Sequence, residues 1–256
     1  MHPFLTLERP GTVRAIAHRG GGGPLENTMA AFSAAVGAGY RHLETDLHTT
    51  RDGVLVISHD ADLRRVAGDP RPVAGLTFTE LSRVRVGGRE PVPAFEELVD
   101  AFPTTRLTVD LKCDAAVAPM ERMLERRPEL LDRLCLGSFS TARVARMRER
   151  FGDRLMSAAT PREIVRLLVA VRLGRRPPSI GAGCVAIPER YPEAGRGLPI
   201  GDARMLAAVA ETGVAVHVWT VNDAARMRAL VAAGVSGIVT DELEALRATL
   251  VAADRW

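Results

Sequence analysis

The chain has 256 residues, 46% of them hydrophobic, 25% charged and only 4% aromatic, with a formal charge of +3. That is enough apolar material for one large core, and a nearly balanced, scattered charge with few aromatics argues against a nucleic-acid surface. The three cysteines have no CxxC spacing, no apolar run reaches the roughly 18 residues of a membrane span, and the N-terminus lacks the apolar stretch of a signal peptide, so a cytoplasmic protein with reduced thiols is expected.

The first apolar, β-rich run is 14–18, ending at His18. The glycines that follow, 20–23, lack the GxGxxG spacing of a dinucleotide loop. Residues 28–38 read as a helix with Asn27 at its N-cap. A second strand follows at 42–47, then the turn signal Arg51-Asp52-Gly53 and a short apolar run, 54–58, before His59. The stretch 61–93 is turn-rich, with Pro70, Pro72 and Pro91, and reads as a small excursion over one end of the molecule. Beyond it, strands at 106–111, 134–138, 155–158, 184–187, 215–220 and 237–240 alternate with helices at 115–127, 141–150, 162–173, 202–211, 223–233 and 242–251. Asp223 is placed to cap one of these helices and Gly234 to end it. Eight strand-helix units in one chain predict an α/β protein: a (β/α)8 TIM barrel, a single domain over 1–256 with a short insertion after the second strand. The alternative, an open doubly wound sheet, lacks its phosphate loop.

Side chains two apart on a strand share a face. Glu44 and Asp46 therefore point one way from the second strand and Asp110 and Lys112 one way from the third, near the ends where barrel active sites lie. Three carboxylates facing one mouth repel unless a cation sits among them, and hard divalent ions such as Mg²⁺ or Ca²⁺ take oxygen ligands of this kind. His18 and His59 each end an apolar run where a loop starts, and an imidazole can give or take a proton near neutral pH. His42 and His217 read instead as barrel-interior residues, His48 as a possible rim residue and His2 as a terminal one. Of the 34 basic residues Lys112 alone is a lysine, which marks it as a position asking for a compact ammonium rather than a planar fork. With Arg19 it offers two cations for a phosphate.

The strings His18-Arg19-Gly20, Glu26-Asn27-Thr28, Glu44-Thr45-Asp46, Arg51-Asp52-Gly53, His59-Asp60, Asp110-Leu111-Lys112, Trp219-Thr220-Val221-Asn222 and Thr240-Asp241 occur in that order along nearly the whole chain. Together they resemble the glycerophosphodiester phosphodiesterases. The resemblance implies divalent-metal-dependent hydrolysis of a small glycerophosphodiester to glycerol 3-phosphate and an alcohol. It implies His18 and His59 as the acid-base pair, Glu44, Asp46 and Asp110 as ligands of one Mg²⁺ or Ca²⁺, Arg19 and Lys112 on phosphate, and Trp219 as a wall of the glycerol pocket. Asp110 stands where the family often has the longer Glu. Two rival expectations remain: a lysophospholipase D-like activity on single-chain lipids, with an apolar groove around Tyr191 and Trp219, and a non-enzymatic barrel that binds phosphate or metal.

Overall fold

Eight parallel strands carry the architecture: β1 (Arg14–His18), β2 (His42–Thr49), β3 (Arg106–Leu111), β4 (Leu134–Gly137), β5 (Met156–Ser157), β6 (Cys184–Pro188), β7 (Ala215–Trp219) and β8 (Gly237–Thr240). The computed structural model describes residues 2–6, 9, 11–188, 190–191, 198–199 and 203–256, with backbone alone at 190–191, 198–199 and 203. The strands lie in the order β5-β4-β3-β2-β1-β8-β7-β6. The two edges meet where Ala158 bridges in parallel to Cys184, and the Ala159 and Gly183 N–H groups donate to the Cys184 and Ser157 carbonyls at 2.8 and 3.0 Å. The sheet is thereby closed into a barrel.

Between the strands run α1 (Met29–Gly37), α2 (Phe95–Ala101), α3 (Val117–Arg126), α4 (Thr141–Phe151), α5 (Pro161–Arg172), α6 (Ala203–Ala210) and α7 (Ala224–Ala232), and α8 (Leu243–Ala252) follows β8. The alternation within β3 shows why. Leu107, Val109 and Leu111 are fully buried in the layer between strands and helices, which leaves the intervening positions, Asp110 among them, for the barrel interior.

The bounds of β3 and β8 match the sequence expectation. β2 runs two residues longer, because Leu47, His48 and Thr49 pair antiparallel with the short strand Leu55–Ile57. Helix α2 has no counterpart among the expected helices; Phe95, Leu98 and Val99 pin it to the core. The expected N-cap of α1 moves by one residue. Thr28 makes the cap, its hydroxyl accepting from the Ala31 N–H, while Asn27 sits at φ 60 and commits its side chain to the second strand. Asp223 does cap α7, accepting from the Arg226 N–H.

The segment 61–93 holds two short antiparallel ribbons, Asp62–Leu63 with Asp69–Pro72 and Arg85–Val86 with Glu90–Pro91, and the short helices Arg64–Ala67 and Phe78–Leu81. It packs on its own apolar cluster, including Leu63, Val73, Leu81 and Val86.

The other end of the barrel is plugged by the N-terminal segment. Phe4 is fully buried among Cys135, Met156 and Cys184 near the strand starts, and it meets the His42 ring edge-on at 4.7 Å between centroids. His2, expected as an unremarkable terminus, helps seat it by accepting the Phe4 N–H at Nδ1. Phe4→Ala leaves a cavity that the closed strand ring cannot collapse. It is expected to cost about 3–5 kcal/mol in urea unfolding, the usual range for a buried Phe, and a loss under about 1 kcal/mol would show that the plug is dispensable.

Candidate active site

The strand register gathers the charged residues. His18 pairs with Glu44 across β1 and β2, and Asp46 pairs with Asp110 across β2 and β3. All eight side chains expected from the sequence line one cavity of about 750 Å³ at the C-terminal mouth: His18, Arg19, Glu44, Asp46, His59, Asp110, Lys112 and Trp219. His42 and His217 are buried in the barrel interior. His48 is buried and its Nε2 lies 3.3 Å from the His59 carbonyl, so it supports the backbone of the site rather than lining the rim.

His18 and His59 are each clamped at Nδ1 by a carboxylate. His18 Nδ1 lies 2.6 Å from Asp241 Oδ1, and His59 Nδ1 lies 2.7 Å from Asp60 Oδ1. A carboxylate at Nδ1 fixes which nitrogen carries the proton and turns Nε2 toward the cavity. Asp241 is itself held by the Asn222 amide at 2.8 Å. Burial pushes the Asp241 carboxyl up, but the hydrogen bonds with His18 and Asn222 outweigh it and hold it below the usual range. Gly22 makes room for this arrangement. At φ 62, a Cβ there would stand 2.8 Å from the Asp241 carboxyl group.

Around the acids the charges alternate. Lys112 Nζ sits between Asp46 Oδ1 at 2.9 Å and Asp110 Oδ2 at 2.7 Å. Arg19 Nε lies 3.1 Å from Asp46 Oδ2 and its terminal nitrogen 2.9 Å from Glu26. Glu26 also accepts from Arg65, which in turn reaches Asp60. Asn27 steadies Asp46 by a 3.3 Å hydrogen bond and accepts one from Thr45. Burial pushes the Asp46 carboxyl up, yet Lys112 and Arg19 bring it below the ordinary range. Glu44 goes the other way: burial, then the charge of Asp46, lift it well above.

The three acids do not form a ready cage, because Lys112 occupies the space between two of them; among the described residues no group of three metal-ligating side chains is gathered in holding geometry. Two oxygens are nonetheless left over. Glu44 Oε2 and Asp110 Oδ1 are buried with no hydrogen-bond partner, and Glu44 Oε2 lies 3.8 Å from His18 Nε2. A buried carboxylate oxygen without a partner is costly, and these two are hard donors of the kind Mg²⁺ and Ca²⁺ accept. The donor set fits a divalent cation.

Sequence reasoning missed the supporting shell of Asp60, Asp241, Asn222, Glu26 and Arg65. Asp60, Asp241, Asn222 and Glu26 all appear in the motif strings, so their places there, Asp60 beside a histidine and Asp241 at a strand end, were the available signal. Of the apolar groove expected around Tyr191 and Trp219, Trp219 lines the cavity. The side chain of Tyr191 lies outside the described residues; Phe139, Ile164, Val165, Leu168, Val169 and Leu173 line the same cavity, with Lys112 Nζ 5.8 Å from the centre of the Phe139 ring. The Phe139 ring meets Trp219 edge-on at 6.1 Å.

The sequence profile of the Glycerophosphoryl diester phosphodiesterase family matches residues 18–245. The chain is 32% identical over 261 aligned residues to the protein named "Probable glycerophosphodiester phosphodiesterase 2" of Mycobacterium tuberculosis, covering 99% of this chain and 97% of that one. A 113-residue stretch is 40% identical to the lysophospholipase D GDPD1 of Mus musculus, 39% of this chain and 36% of that protein. The fold matches a phosphodiesterase of Oleispira antarctica, solved in complex with the product sn-glycerol-3-phosphate, with a TM-score of 0.75 and 19% identity over 94% of this chain and 97% of that one.

Proposed function

The chain belongs to the glycerophosphoryl diester phosphodiesterase family, and from that premise we propose that it hydrolyses small glycerophosphodiesters to glycerol 3-phosphate and an alcohol, with His18 and His59 as the acid-base pair. The observation that carries this reading is the matched clamping of the two histidines, each held at Nδ1 by a carboxylate and lining the same charged cavity. Cleaving a phosphodiester requires a proton to leave the attacking hydroxyl and a proton to reach the departing alcohol oxygen as its P–O bond breaks; where the attacking hydroxyl is the substrate's own glycerol, water opens the resulting cyclic phosphate to glycerol 3-phosphate in a second such step. Two imidazoles with fixed tautomers supply both transfers.

Lys112 and Arg19 would hold the phosphate oxygens, and the acids paired with them, Asp46 and Asp110 for Lys112 and Glu26 for Arg19, keep them from swinging away before substrate arrives. Trp219, which lines the same cavity, would wall the glycerol. Glu44, Asp46 and Asp110 would hold one divalent cation, Mg²⁺ or Ca²⁺, a reading supported by the two unpartnered oxygens. Such an ion supplies charge neutralisation to a phosphate in a site rich in carboxylates.

The test is glycerol 3-phosphate release from glycerophosphocholine, before and after chelation. Release is expected to fall at least about a hundredfold with chelator and to return with Mg²⁺ or Ca²⁺. The cation should also raise the melting temperature of the parent but not of Glu44→Gln. Chelator-insensitive turnover would sink the metal assignment.

A second reading is favoured by the apolar half of the cavity: a lysophospholipase D-like reaction, in which Phe139, Ile164 and Leu168 receive the chain of a single-chain lipid while the same charged residues act on its phosphate. Choline release from lysophosphatidylcholine tests it. No helix among the described residues is long and apolar enough to cross a membrane.

A further inference from the structure

Helix α5 is apolar on two faces. Leu167 and Val171 are buried in the core, and Glu163 closes the N-terminal capping box with Thr160 while pairing with Arg148 of α4 at 2.9 Å. On another side Val165 and Val169, and Leu173 just past the helix end, stand 57%, 52% and 60% exposed. Their spacing of four residues stacks them on one face. Phe139, in the loop before α4, is 62% exposed. Of the five large apolar side chains exposed among the described residues, these four meet at the rim of the cavity that holds His18 and His59. Apolar side chains exposed singly are ordinary, but a contiguous set at the mouth of a site marks something that covers it.

The charges around this ridge say what. Residues 161–176 contain five arginines and one glutamate, a formal +4 against +3 for the entire chain. Arg162 and Arg166 flank the ridge on the helix, Arg172 lines the cavity, and Arg175 and Arg176 follow at once, all exposed. The single acid of the stretch is turned away, held by Arg148. A second copy of the chain would bring one +4 face against another and be repelled. An apolar ridge flanked by long arginines is instead the pattern of a helix lying in a lipid–water interface, its apolar side chains among the acyl chains and its guanidinium groups at anionic headgroups.

We propose that α5, the arginines after it and Phe139 form a docking face for an anionic lipid surface, which sets the cavity mouth against the headgroup layer. A substrate with an apolar tail then passes from the surface into the site without exposing that tail to water. The docking itself does not depend on which bond the site cleaves, and binding rather than turnover reads it.

The experiment is co-sedimentation with vesicles of phosphatidylcholine containing about 30% phosphatidylglycerol, against vesicles of phosphatidylcholine alone. The intact protein is expected to bind the anionic vesicles at least about tenfold more tightly, and to be released as salt is raised. The triple variant Arg166→Ser, Arg175→Ser, Arg176→Ser should weaken binding by about fivefold per arginine while hydrolysing glycerophosphocholine in solution like the parent. The triple variant Val165→Ser, Val169→Ser, Leu173→Ser should lose at least about tenfold while keeping the parent melting temperature, since none of the three is in the core. Equal binding to both vesicle types, binding by neither, or unchanged binding by the serine variants would overturn the proposal. So would a dimer in sedimentation velocity that the valine and leucine substitutions dissolve, because the face would then belong to a second copy.

Discussion

His18→Ala and His59→Ala are each expected to lower kcat for glycerophosphocholine by about 10²–10⁴, the usual contribution of a positioned acid or base. KM should change far less, because neither ring is among the groups assigned to hold the phosphate. The two losses should not add: once one proton transfer is missing, the other no longer limits in the same way, and the double variant should be little worse than the poorer single one. Asp241→Asn and Asp60→Asn probe the clamps separately. An amide at 2.6 or 2.7 Å from Nδ1 can present a donor where the carboxylate accepts, which favours the other tautomer. These positioning variants should lose roughly tenfold to a hundredfold, and their pH profiles should shift where those of a merely destabilised protein would not. Near-parent turnover by either alanine variant would remove that histidine from the reaction.

The parts of this arrangement differ in how visible they are in the sequence. β3 and β8 can be bounded to the residue because each is a short apolar run, covered on the outside and stopped by a polar turn. The facing of Glu44, Asp46, Asp110 and Lys112 follows from period-two alternation alone, and the register of β2 on β3 then sets Asp46 beside Asp110. The clamp on His18 follows no local rule: Asp241 lies 223 positions from His18 and reaches it only because β8 closes onto β1, whereas Asp60 is the neighbour of His59 in the chain. Asn27 misleads for the same reason. Locally it is a good N-cap, yet its amide is spent on Asp46 and the cap falls to Thr28. In α5, apolar residues occur almost all round the helix, so the sequence does not distinguish the side pressed on the core from the side turned outward. Three acids facing one mouth suggest a cage for a cation, but alternation does not say how far Lys112 reaches, and its four-carbon stem places the ammonium between two of them.

That position sets Lys112 against two acids of the site at once. Burial pushes its pKa down, but Asp46 and Asp110 push it up by more, so it lies above the ordinary lysine range. A raised folded-state pKa means that its contribution to stability is complete at neutral pH and is lost only as pH climbs through that raised value. Lys112→Met removes the charge and keeps most of the length. Asp46, 2% exposed, is then left with Arg19 as its cation, and Asp110 loses the ammonium that pairs with it. Breaking a buried pair from one side costs about 3–5 kcal/mol when both partners are dry. Lys112 and Asp110 are each 17% exposed, which relieves part of it, so about 3 kcal/mol is expected, a fall of roughly 6–12 °C in Tm. Turnover should fall by about 10²–10³, the cost of one preorganised donor to a charged transition state. Lys112→Arg separates charge from shape. It restores the charge, so most of the stability should return, but a planar fork cannot place one nitrogen between two carboxylate oxygens and still face a phosphate, so activity should stay low. If the arginine variant regains both, charge alone is what the position requires, and the solitary lysine has no geometric reason to be there.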